Sequence, residues 1–276
     1  MGTWAPGLYS SDLAKDLKPL VTVACRLPLS NDELLDLFRA QYPQAANDPE
    51  DADHTVFWLV LADQLHGNGV DLASVRERAL LIIESGADIA AQARLGLAGA
   101  ALRKREQALA KLREKLRAPV RPKARKTMKA PQGFVMTEGE VLAVPVDEKG
   151  QCLNPYLPAG HPFARVGWRG VAVATATRAF GYLAVYVPLV AHEIVLGDEP
   201  PDLETLLAQA EWTLELPGTC SGAHFKKLGF VSVGRVELDV PTSPENLASY
   251  AVADVCISNR LMPNRRAPRA PLPVRK

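Results

Sequence analysis

VAVATATRAFGYLAVYVPLV, Val171–Val190, is the longest apolar stretch of the chain and decides how its second half folds. Its length comes close to the ~20 residues that a membrane-spanning helix requires. Thr175, Thr177, Arg178, Gly181 and Pro188 interrupt it. A charge and two breakers inside the run are incompatible with a continuous span, and the segment reads as two buried strands meeting at a turn around Arg178–Gly181.

Short runs rich in Val, Thr and aromatic residues surround this stretch: Glu140–Val146, Val166–Thr175, Tyr182–Val190, Trp212–Leu216 and Phe230–Leu238. Bounded by Gly and Pro, they are strand signals. One amphipathic helix, Asp202–Ala210, falls between the third and fourth run. The expectation is a small, mainly antiparallel sheet or barrel with one packed helix.

The first half has a different period. Ser11-Asp12 can cap a helix through Leu13, Leu17 and Leu20, which Pro19 should kink or end. Ser30-x-x-Glu33 is a capping box ahead of Leu34, Leu35 and Phe38, and Tyr42-Pro43 stops that helix. Gln44–Asp53, rich in Asn, Asp and Pro, reads as a solvated loop. Asp53 can cap a helix apolar on most sides, Val56 to Leu61, that ends at Gly67-Asn68-Gly69. Asp71 opens the next helix, which stops near Ser85-Gly86. From Ala87 to Arg117 no proline intervenes, and one long helix is expected. Leu95, Leu102, Leu109 and Leu116 recur every seven residues, but Ala98 and Arg105 spoil the companion row that a coiled coil needs. That helix therefore packs on its own domain, with homodimerisation through Ala87–Arg117 as the alternative.

The whole is α+β: an all-helical domain over 1–117, a basic Pro-rich linker over 118–133, a strand-rich domain over 134–255 and a basic Pro-rich tail over 256–276. The 276 residues, 47% hydrophobic and 23% charged, suit about two globular cores. A net charge of +1 gives no global attraction to nucleic acid or membrane, so any such attraction must be local. Four scattered cysteines (Cys25, Cys152, Cys220, Cys256) and the lack of a secretory pattern at the N-terminus point to a reducing, cytoplasmic setting. The tail, with four prolines and no acid, is expected to be disordered in isolation.

Chemistry is thinly written. Gly218-Thr219-Cys220-Ser221-Gly222 follows a strand and could expose a nucleophile, with His192 or His224 as base. A Cys-dependent hydrolase or transferase centred on Cys220 is accordingly one alternative. Cys220-x-x-x-His224 supplies at most two metal ligands, His161, His192-Glu193 and Cys256 are isolated, and the Asp48, Glu50, Asp51, Asp53 and His54 group lacks the ligand spacing of a calcium loop. No phosphate-cradling glycine motif occurs, and no cofactor is implied. Arg121, Lys123, Arg125, Lys126 and Lys129 in the linker and Arg265, Arg266 and Arg269 in the tail could neutralise phosphates, which makes a nucleic-acid-associated factor another alternative. Trp168 and Arg169, at a strand entrance, are candidate anchors for a protein partner.

Four landmarks, in order, carry a resemblance: Met1-Gly2-Thr3-Trp4; Trp58-Leu59-Val60-Leu61-Ala62-Asp63-Gln64; Lys111–Pro119; and Gly139-Glu140-Val141-Leu142-Ala143-Val144-Pro145. Together they resemble an uncharacterised bacterial family opening Met-Gly-Thr-Trp, over patches of the first half of the chain. The pattern departs at Ala5, where that family favours glycine. The Gly139–Pro145 strand is also similar to the opening of immunity proteins of bacterial polymorphic-toxin systems. This resemblance implies a cytosolic, non-enzymatic factor that binds a protein partner and neutralises it. Protein contact through the C-terminal strand-rich domain, without membrane or cofactor, is thus the leading expectation.

Overall fold

The computed structural model describes residues 5–119, 124–153, 163–240, 256–264 and 266–275. The chain divides into two compact units, Met1–Lys129 and Ala130–Lys276, and the division falls inside the basic proline-rich stretch.

Unit one is helical. α1 (Asp12–Ala24) starts where the Ser11 hydroxyl accepts from the Ala14 amide. It runs on through Pro19, because burial of Leu13, Leu17, Leu20 and Val21 outweighs the one backbone bond that proline removes. α2 (Asn31–Gln41) carries the expected capping box, with Glu33 N–H donating to Ser30 Oγ at 3.2 Å and Ser30 N–H to Glu33 Oε2 at 2.7 Å. Part of the expected loop is a short helix, α3 (Pro43–Asn47), for which Pro43 provides a preset first turn.

α4 (His54–Gly67) is buried on nearly every side, as its continuous apolar sequence requires. Asp53 stands at its N-cap but makes no side-chain capping bond. α5 (Ala73–Glu84) follows the turn at Gly69, whose φ of 73° suits glycine.

The single long helix expected from Ala87 is two helices, α6 (Ala87–Arg94) and α7 (Gly99–Arg117). Gly96 at φ 95° and Gly99 at φ 56° break the path in a conformation open to glycine. α7 turns Arg105, Leu109, Leu112 and Leu116 into its own unit. Arg105, the residue that spoils the heptad row, is buried and holds Asp88 of α6 through Nε at 2.8 Å and Nη2 at 2.9 Å. That stripe is spent inside the unit, and Leu95 falls in the break between the helices.

Unit two is an open antiparallel sheet. β1 (Glu140–Val146), β2 (Gly167–Ala179), β3 (Leu183–Leu196), β4 (Trp212–Leu214) and β6 (Val231–Arg235) lie in the order β4-β3-β2-β1-β6, and β5 (Gly218–Thr219) pairs with β3. β2 and β3 form the expected hairpin. Its turn has Phe180 at φ 52° and Gly181 at φ 71°, closed by Tyr182 N–H to Ala179 C=O at 3.1 Å. Two positive φ values in succession match the right-handed twist of the flanking strands.

Both faces of the sheet are covered, which explains why its strands read as continuous apolar runs. Leu142, Val144, Val171, Val173 and Tyr186 pack on one side with Leu228 of α9 (Gly222–Leu228) and with Ile257 and Leu261. Val141, Ala143, Trp168, Ala172 and Trp212 pack on the other with Leu206 of α8 (Leu203–Leu207) and Leu272.

Within the chain, the described residues of the tail pack on the sheet unit. Trp212 and Ala270 exchange two backbone hydrogen bonds at 2.8 and 3.1 Å, and Arg275 N–H donates to Glu237 at 2.8 Å. Leu272 is buried, so the apolar residues between the prolines anchor the segment despite its charge. Among the described residues, no helix is long and apolar enough to cross a membrane.

Candidate functional site

Among the described residues, two places gather polar and titratable side chains, one in each unit. The first is a cleft of about 410 Å3 between the loop before α4, the end of α5 and α6. Its apolar wall includes Leu81, Ile82, Ala91 and Leu95, and its polar side includes Glu50, His54, Arg78 and Arg94. A volume of this size lies within the range of natural ligand and anchor pockets.

His54, at the first turn of α4, fixes the polar side. Its Nδ1 sits 2.8 Å from the Ala45 carbonyl, which can only accept, so Nδ1 carries the proton and Nε2 is a lone-pair nitrogen. Nε2 in turn faces Arg78 Nη2 at 3.3 Å, where the guanidinium donates. Burial lowers the pKa of His54 below its usual 6.5 and Arg78 lowers it further, against the Ala45 bond. The imidazole is therefore a neutral acceptor that orients Arg78 beside the cleft. Behind it, Thr55 Oγ1 donates to Asp88 Oδ1 at 3.0 Å, which ties α4 into the Asp88–Arg105 ion pair. The mouth is charged on both sides, with Arg94 3.9 Å from Glu50. Of the acidic group singled out in the sequence, Glu50 and Asp51 line the cleft, and the Asp48 and Asp51 carboxylates accept from the Glu50 and Asp53 amides in local turns.

The second place lies beneath the sheet of unit two. Cys256 Sγ is 2.8 Å from Nδ1 and 3.2 Å from Nε2 of His224, and 2.9 Å from the Ser258 hydroxyl. Cys152 Sγ donates to the Ser258 carbonyl at 3.0 Å. Cys220 is almost fully buried, and its Sγ donates to the Ser221 carbonyl at 3.7 Å. Burial pushes the thiols of Cys152 and Cys220 up to about 12. All four cysteines are free.

The expected pairing is therefore redistributed. His192 is engaged with Thr213 Oγ1 at 2.6 Å, and His224 meets Cys256, a residue that the sequence reading set aside as isolated. Thirty-two positions separate these partners, and no spacing rule links them. Among the described residues, no group of three or more His, Cys, Asp and Glu comes together to hold a metal ion. His161 lies outside the described residues.

The candidate anchors Trp168 and Arg169 are inside the fold, 4% and 5% exposed. Trp168 sits in the sheet core, and Arg169 Nη1 donates to the carbonyls of Gly150 at 2.6 Å and Leu261 at 3.1 Å. In these positions they serve packing and offer no surface to a partner. Of the basic residues, Arg125 donates to the Leu29 carbonyl and Arg269 pairs with Glu211 at 2.9 Å. Lys126, Lys129 and Arg266 are exposed, whereas Arg121, Lys123 and Arg265 lie outside the described residues.

No family model, curated protein or solved structure matches the chain.

Proposed function

We propose that the protein is a non-enzymatic protein-binding factor whose partner inserts an apolar anchor into the cleft of the helical unit. The observation that carries this reading is that Leu81 and Leu95 line the cleft yet remain 58% and 43% exposed. Fully burying a leucine is worth about 1.5–3 kcal/mol, so two left in water beside a ready cavity are a reserve of binding free energy. Arg78, Arg94 and Glu50 supply the polar rim that surrounds the apolar centre of an interface, and the His54 contact holds Arg78 in place before binding. The finer reading, neutralisation of a toxin, rests on the resemblance of Gly139–Pro145 to immunity proteins.

The full-length protein, affinity-tagged and expressed in the cells that naturally make it, tests this reading when recovered beside its Leu81→Asp/Leu95→Asp double variant. Both positions are exposed, so the substitutions leave stability nearly unchanged. The wild type should retain a stoichiometric protein partner. The variant should bind that partner roughly 10²-fold or more weakly, as expected for two hot-spot side chains. Equal retention by both forms, or no partner on the wild type, contradicts the proposal.

A further inference from the structure

Trp58 of α4, 5% exposed, is met by two cations from different helices. The guanidinium carbon of Arg39 on α2 lies 5.6 Å from the ring centre and that of Arg78 on α5 lies 6.0 Å from it, each over the indole. Both arginines are exposed. Among the described residues neither forms an ion pair, although Arg94, the other arginine of the cleft, has Glu50 at 3.9 Å. Asp51, the second acid of the cleft, turns its carboxylate to the Asp53 amide at 2.8 Å. Two like charges held against one ring raise the local positive potential, and no described carboxylate stands within ion-pair distance of either.

Given the cleft as the place where the partner docks, we propose that the docked segment carries an Asp or Glu within four positions of its apolar anchor, and that Arg78 receives this carboxylate. Arg78 and Leu81 stand three positions apart on α5, so they are neighbours on one face of the helix, and both line the cleft. An apolar side chain packed on Leu81 therefore brings its own chain close to the guanidinium. In an extended segment, side chains two positions apart share a face at about 7 Å. In a helix, those three or four apart do so at about 5–6 Å. Either spacing matches the step from Leu81 to Arg78.

His54 prepares the guanidinium for this contact. Its Nε2 accepts from Arg78 Nη2 at 3.3 Å, while its Nδ1 is committed to the Ala45 carbonyl at 2.8 Å. That bond uses one of the five N–H groups of the arginine, and the others have no acceptor among the described residues. A carboxylate, with two oxygens in one plane, is the anion that such a fork fits. Held by an imidazole and an indole, Arg78 has less side-chain freedom to lose on binding. Arg39, which is not part of the cleft wall, adds attraction at longer range.

The test is selection from a phage-displayed library of random dodecapeptides on the full-length protein, followed by fluorescence anisotropy with the recovered peptides. These should share a large apolar residue with Asp or Glu within four positions. Changing that acid to its amide should weaken binding about 10-fold or more, the usual effect of a charged hydrogen bond, and Arg78→Gln should do the same. Combining the two changes should weaken binding little further, since each removes the same contact. Arg39→Gln should have a smaller effect, about 2–5-fold. Arg78 is exposed, so its substitution leaves folding intact, and the change on the peptide needs no variant. Binding that survives both single changes, or two losses that multiply, overturns the inference, as does recovery of peptides without an acid or of none. Leu81→Asp/Leu95→Asp separates this from the docking place itself. Peptides lost with these leucines but indifferent to Arg78→Gln leave the cleft in place and remove the carboxylate, whereas peptides indifferent to the leucines remove the cleft.

Discussion

Both units place a histidine at the first turn of a helix and lower its pKa by burial, and the difference between the two lies in what each ring faces. His54 faces a carbonyl and a guanidinium, so its proton is fixed and its lone pair is used to orient Arg78 beside a cavity. His224 faces a thiol, a group whose proton can move. The same residue type thus meets a guanidinium in one unit and a thiol in the other. What distinguishes the roles is the partner's chemistry, since the direction of the pKa shift is shared.

The strongest way to break this comparison is Asp88→Ala. Arg105 would be left buried without its counter-charge and Thr55 would lose its acceptor, at a cost of about 3–5 kcal/mol. Denaturant unfolding should show that loss, and hydrogen exchange should localise it to α4–α7 while exchange within the sheet unit stays unchanged. Adding Arg105→Met should recover much of the stability, because an apolar pair carries no stranded charge.

The reciprocal perturbation is Gly170→Ala. Its Cβ would lie 2.7 Å from Trp212 Cη2, so the indole must shift in a packed core, at about 1–3 kcal/mol. The change in Trp fluorescence and Tm should leave partner binding by the cleft intact. Ser30→Ala gives a smaller effect confined to α2, a loss of about 1 kcal/mol on removing the cap.

Acid supplies the gentlest probe. A histidine whose folded pKa lies below 6.5 binds a proton more readily when unfolded, so its contribution to stability is complete above 6.5 and is lost as the pH falls through the folded value. Stability should decline on acidification below 6.5, and His54→Gln should flatten part of that decline in a Tm-versus-pH series. A slope identical to that of the wild type would show that His54 is not held neutral.

The fold was largely legible because its signals are local. The Ser30–Glu33 capping box, the Gly67–Gly69 turn and the β2–β3 hairpin each arise from residues within a few positions of one another. The break at Gly96–Gly99 was missed because the surrounding residues are good helix formers, and the decisive factor is a positive φ that only the backbone shows. Arg105 read as a flaw in an apolar row, since its partner Asp88 lies on a different helix. The tail's charge and prolines concealed that Ile257, Leu261 and Leu272 are buried in the sheet unit. The sites were harder still, because the cleft is drawn from three separated segments and Cys256 reaches His224 across thirty-two positions. Tertiary contact alone brings these groups together.

Hydrogen exchange of the full-length protein, free and bound to the partner that it retains, addresses binding through the cleft most directly. Protection should concentrate on 78–95, where Arg78, Leu81, Arg94 and Leu95 line the cavity. Protection confined to the sheet unit, with 78–95 exchanging as in the free protein, would contradict the assignment of the binding surface.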